Sequence, residues 1–207
     1  TIDASRDNGG TSLKIGDASH QGLHVTLKNG IYATATSTDV SAFHASYGAT
    51  VTLVDIRSDV QSLFCIDYTG ENNQAGKVIV RGAKTELNTE VFASSEQGTA
   101  TCDIKDGYFN VTYWHHNYPG YDQTDVKISG GYFTNNLIRI KQSNANLIDI
   151  RNFIADGHMW IKLGNAVTPE GSTTKYWYQV VPAHTVTLNL NKGTLKSGYD
   201  AYKQHDD

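Results

Sequence analysis

Little in this chain suits a helical protein or one that binds nucleic acid. Charged residues fill only 18% of its 207 positions. The Leu, Glu and Lys combinations that build surface helices are thin, so few helices are expected. A formal net charge of -4, with no clustering of Lys and Arg, offers no electrostatic footprint to a phosphate backbone, and no nucleic-acid partner is expected. No window approaches the roughly 18 consecutive apolar residues of a membrane span. The sequence opens on Thr1-Ile2-Asp3 rather than on Met and an apolar signal region, which reads as a soluble piece, excised or processed from something longer. With two cysteines, Cys65 and Cys102, a disulfide scaffold is excluded. Neither stands in a Cys-x-x-Cys pair or beside a metal-type His spacing. Both read as small core residues, and they leave the compartment open. Gly-x-Ser-x-Gly, phosphate-loop and nucleophile-elbow motifs are missing as well.

What remains is a strand-and-turn vocabulary of Thr, Ser, Asn, Tyr and Val with 19 glycines. Its order is repetitive. Cys102-Asp103-Ile104-Lys105-Asp106-Gly107-Tyr108-Phe109 returns 24 residues later as Val126-Lys127-Ile128-Ser129-Gly130-Gly131-Tyr132-Phe133. The same template fits Val25 to Tyr32 and, more loosely, Val51-Thr52-Leu53, Val78 to Gly82 and Ile148-Asp149-Ile150. Its first apolar residue falls at Val25, Val51, Val78, Cys102, Val126 and Ile148, at intervals of 26, 27, 24, 24 and 22 residues. Spacing in this range, with no helical period and no Leu-x-x-Leu-x-Leu frame, predicts a parallel β-solenoid of about six turns.

A second strand follows the Gly-aromatic corner in most turns, at Ala42–Ala45, Leu63–Ile66, Glu90–Ala93, Val111–Trp114 and Leu137–Ile140. Glycine suits the sharp corner, and Tyr or Phe beyond it fills the interior. The expected organisation is a single all-β domain over 1–207. Residues 1–23, with the short strand-like run Leu13-Lys14-Ile15, form an N-terminal cap; 24–154 hold the repeat turns; 155–207, with strands at Tyr176–Val181 and Thr185–Leu190, form an irregular last turn and a C-terminal cap.

Ile128-Ser129-Gly130-Gly131-Tyr132-Phe133, then Ala155-Asp156-Gly157-His158, then Tyr176-Trp177-Tyr178-Gln179-Val180-Val181-Pro182 resemble the Gly-Gly-x-Phe repeat modules of large surface proteins from gut-dwelling bacteria. The resemblance covers about residues 124–182, and its motifs are short and structural. It implies a right-handed parallel β-helix of the pectin-lyase-like type on an exported, cell-surface protein. It carries no catalytic residue to transfer. The second corner aromatic and the 164–175 insertion depart from the modules.

Two groups of residues are candidates for chemistry. On the outward positions of the first strand, Asp103, Lys127 and Asp149 are expected on three neighbouring turns, about 4.8 Å apart per step. Such a trio serves either as a general acid/base group or as a ladder of mutually satisfied charges, and it is a weak catalytic candidate. The second group is Trp114, His115, His116, Tyr118, Tyr121 and Asp122, with Arg139 and Lys141 on the next turn and Arg139 expected over His115. Aromatic faces beside hydrogen-bonding side chains make a surface for a sugar ring; the same residues also suit a loop packed on the solenoid. Adjacent His115 and His116 point to opposite faces of a strand, so no metal is assigned, and no cofactor is expected.

The sequence therefore predicts an extracellular, non-catalytic β-solenoid module of a bacterial surface protein, structural or glycan-binding. A β-helix polysaccharide lyase or glycoside hydrolase is the alternative, and a tail-spike segment, usually a trimer, is a further one.

Overall fold

The structure, a computed structural model, describes residues 14–32, 44–45, 47–63, 76–94, 100–116, 124–140 and 143–184. The fold is all-β. In chain order the first strands are β1 (Lys14–Ile15), β2 (His24–Lys28), β3 (Ile31–Tyr32), β4 (His44–Ala45), β5 (Thr50–Val54), β6 (Arg57–Leu63), β7 (Lys77–Arg81) and β8 (Glu86–Ser94). They are followed by β9 (Ala100–Ile104), β10 (Tyr108–His116), β11 (Thr124–Ile128), β12 (Gly131–Phe133), β13 (Leu137–Ile140) and β14 (Ser143–Asp149). After a 3-10 turn at Ile150–Phe153 the chain ends its described course in β15 (His158–Val167) and β16 (Tyr176–Pro182). No helix among the described residues is long and apolar enough to cross a membrane.

The repeat read from the sequence appears as strand register. β2, β5, β7, β9 and β11 form a five-stranded parallel sheet, in which Val25 pairs with Val51, Val51 with Val78, Val78 with Cys102 and Cys102 with Val126. After each of these strands the chain crosses to a second sheet, where β3, β6, β8, β10 and β12 are again parallel neighbours. Alternation within a strand explains the burial. In β5 and β7 every second side chain is buried, and the inward rows Val51-Val78-Cys102-Val126 and Leu53-Val80-Ile104-Ile128 form the core facing the second sheet. From that sheet Leu87, Phe109 and Phe133 point inward and are buried. The two Phe rings stack at 5.2 Å between centroids. Tyr108 and Tyr132, one residue earlier, take the other face, where they stack on each other at 4.8 Å and stay partly exposed.

Local chemistry sets the corners. Asn29, Asp55 and Gly82 follow register partners in three successive strands and adopt φ of 55°, 53° and 105°. Asn and Asp are the side-chain-bearing residues that tolerate this region best. At Gly131, φ is 103° and a Cβ would stand 2.7 Å from the Phe109 ring. Only glycine lets the corner close over the stacked Phe rings there.

Beyond β12 the expected pattern is corrected. Ile148-Asp149-Ile150 does not pair beside Val126-Lys127-Ile128. Instead β14 runs antiparallel to β13, with Ile148 opposite Ile138, and the Ile150 N–H donates to Asn136 O at 2.9 Å. Ile154 takes the place beside Ile128 through a parallel bridge, and the Ala155 N–H donates to Ile128 O at 2.8 Å. The 148–150 run lacks the Gly corner, and its Asp149 side chain accepts the Arg151 N–H and opens a 3-10 turn instead. β16 and β15 then extend the second sheet antiparallel, β16 on β12 and β15 on β16. Cys65, the strand expected at Thr185–Leu190 and residues 1–13 of the expected N-terminal cap lie outside the described residues.

Candidate functional site

The first candidate trio is divided by the strand register. Lys127 pairs with Asp103 across β11 and β9, as expected from the repeat. Asp103 also forms an ion pair with Lys77 on the other neighbouring strand, Oδ2 to Nζ at 2.6 Å. Asp149 is elsewhere, in the hairpin beyond β13, where Arg151 meets it with Nη2–Oδ2 at 2.8 Å and Nε–Oδ1 at 3.1 Å. Hydrogen bonding from the Arg151 guanidinium holds the Asp149 carboxyl below its ordinary value. An acid catalyst needs the opposite shift.

Of the second group, Trp114, His115 and His116 end strand β10, and their side chains lie outside the described set. Tyr118, Tyr121, Asp122 and Lys141 lie outside the described residues altogether. Arg139 stands opposite Tyr113, not His115; an irregularity in the β10–β13 pairing places Ile140 opposite His115. The β14 hairpin that draws β13 along its own antiparallel partner accounts for the slip.

A site the sequence did not point to lies where the C-terminal strands close the second sheet. A cleft of about 860 Å³ has Trp160 and Tyr178 as the aromatic part of its lining and Asp149, Arg151, Asn152, His158 and Lys162 among its polar groups. Strand pairing of β15 with β16 puts Trp160 opposite Val180 and Lys162 opposite Tyr178. The Trp160 ring stacks on Tyr178 at 5.3 Å and leans on Phe133 at 5.1 Å, so the internal Phe row continues into the wall of the cleft. The indole N–H is buried without an acceptor among the described residues. His158 Nδ1 lies 3.1 Å from the Asp156 carbonyl. Asp149, singled out for a different grouping, and the turn Ala155-Asp156-Gly157-His158 were the traces of this site in the sequence. Neither says what packs opposite.

Outside the second sheet lies a buried polar knot that the sequence also left unmarked. Glu86 pairs through Oε2 with Arg57 Nη2 at 2.9 Å, and its Oε1 accepts from the Tyr176 hydroxyl at 3.0 Å and from the Ser172 hydroxyl. Burial, reinforced by Glu86, pushes the Tyr176 phenol well above its ordinary value. Arg57 also donates to Gly171 O at 3.5 Å. The Ser172 and Gly171 contacts tie the 168–175 connection to the sheet and the Tyr176 contact ties in the start of β16, which marks the knot as a fastening. Among the described residues no group of three or more His, Cys, Asp or Glu side chains is gathered to hold a metal ion.

Compared with known proteins, the chain matches no protein family, no curated relative and no solved structure.

Proposed function

We propose that the chain is a non-catalytic, extracellular module of a bacterial surface protein, built as a right-handed parallel β-helix, that binds a glycan in the cleft beside Trp160. The repeated crossing between two parallel sheets, with five register-paired first strands, supports the β-helix. The observation that carries the binding reading is the cleft's make-up: stacked Trp160 and Tyr178 beside Asn152, His158, Lys162 and an Asp149–Arg151 pair. A sugar ring places its apolar face on such rings and bonds its hydroxyls to such a rim. Asp149 is tied down and held ionised by Arg151, and Glu86 has both oxygens engaged, which supports binding over bond cleavage.

A glycan array probed with the wild type beside Trp160→Ala and the rim variant Asn152→Ala/Lys162→Ala tests this. Both variants are expected to lose the wild-type signal. The rim variant touches exposed side chains and keeps the test informative if Trp160→Ala unfolds. Release of oligosaccharides from any bound glycan would instead favour the lyase or hydrolase alternative, and wild-type binding kept by the rim variant would remove the cleft from the proposal.

A further inference from the structure

The outward face of the first sheet has a charge pattern that neither the core nor the cleft explains. The outward position next to each corner is held in turn by Lys28, Val54, Arg81, Lys105 and Ser129. Lys28 pairs with Val54 and Val54 with Arg81, and the bonds from Lys105 N–H to Val80 O and from Ser129 N–H to Ile104 O carry the row onward. Lys28, Arg81 and Lys105 are exposed, as is Lys84 just past the corner. None of the four holds an ion pair among the described residues.

Three nearby carboxylates each have one oxygen bonded to another group. Asp55 Oδ1 accepts the Lys84 backbone N–H at 3.0 Å, Asp106 Oδ1 accepts the Gly107 N–H at 2.8 Å, and Asp103 pairs with Lys77. Arg81 and Lys105 stand on neighbouring strands, about 4.8 Å apart, where like charges oppose sheet formation. In a chain of net charge -4, three of the 17 Lys and Arg residues stand in this row, with Lys84 beside it. The adjoining outward row begins with Thr26 and Thr52, whose hydroxyls suit sugar hydroxyls. Its members, Thr26, Thr52, Ile79, Asp103 and Lys127, include no aromatic ring on which a nucleobase would stack.

We propose that this row is a docking line for a linear carboxylated polysaccharide, lying across the strands of the first sheet so that its carboxylates meet Lys28, Arg81 and Lys105. The row is single-file, with Arg81 and Lys105 one strand spacing apart and Lys28 two spacings from Arg81 across Val54, so an extended sugar chain bearing repeated carboxylates can meet all three cations. The site is separate from the Trp160 cleft and stands or falls independently of it.

The test uses the full chain, alginate oligomers as the carboxylated probe, dextran as the neutral one and a single-stranded DNA oligomer of equal charge. Expected is salt-sensitive binding of alginate, tighter than of DNA, with none of dextran. Arg81→Glu should weaken alginate binding at least tenfold. The same change turns the Arg81–Lys105 repulsion into attraction, so the melting temperature should hold or rise; a merely structural Arg81 would show the reverse. Any of three results overturns the proposal: no alginate binding at low salt, equal binding by Arg81→Glu, or DNA bound as tightly as alginate.

Discussion

The Glu86 carboxylate, 5% exposed, lies 2.9 Å from the guanidinium of Arg57 on the neighbouring strand. The pair sits on the outer side of the second sheet, yet Glu86 is buried because the connection carrying Ser172 and Tyr176 folds over it. An outward position has thereby become an interior one.

Truncating one partner should therefore be expensive. Arg57→Met leaves a buried carboxylate without its cation; breaking such a pair costs about 3–5 kcal/mol, and the partial exposure of Arg57 points to the low end of that range. Glu86→Gln keeps an oxygen for Tyr176 and Ser172 and should cost about 1 kcal/mol. Urea denaturation of both variants beside the wild type checks the order. Equal losses would contradict the account of Glu86 as a charge held by Arg57.

Glycine matters at the Gly131 corner and much less at Gly164. Gly131→Ala forces a side chain into φ 103° and against the Phe109 ring, with an expected loss of about 2 kcal/mol or more. Gly164→Ala, in β15, meets nothing within 4 Å and should stay within about 0.5 kcal/mol of the wild type. Thermal melts of the two proteins give the comparison.

The Asp149–Arg151 pair carries an acid dependence of known sign. The folded pKa of Asp149 lies below its unfolded value, so the stability it contributes is present above about pH 4 and is lost as pH falls through the folded pKa. Arg151→Gln removes that contribution. The wild type should be the more stable of the two near pH 7, and the gap in denaturation midpoint should close as pH is lowered below about pH 4. A gap constant between pH 7 and pH 2.5 would show that the pair contributes nothing to folding.

The strand starts at Val25, Val51, Val78, Cys102 and Val126 could be read from the chain because an inward position repeats in each strand and admits only small or branched apolar side chains. Corner residues were legible at Gly82, Gly107 and Gly131 for the same local reason, a backbone region open to glycine. At Ile148 the reading failed because a three-residue apolar alternation fits an antiparallel hairpin as well as a parallel strand. The slip of Arg139 from His115 to Tyr113 followed from that hairpin.

The sequence by itself determined the all-β class, the parallel pairing of five strands and the split between core and surface along them, since period-two alternation and left-handed corners are properties of neighbouring residues. Tertiary structure decided everything that depends on distant segments meeting. It placed Trp160 at the end of the Phe109–Phe133 row, buried Glu86 beneath residues 86 and 90 positions away in the chain, and parted Asp149 from Lys127. No local pattern encodes those meetings, because they are set by where the C-terminal strands return to the sheet.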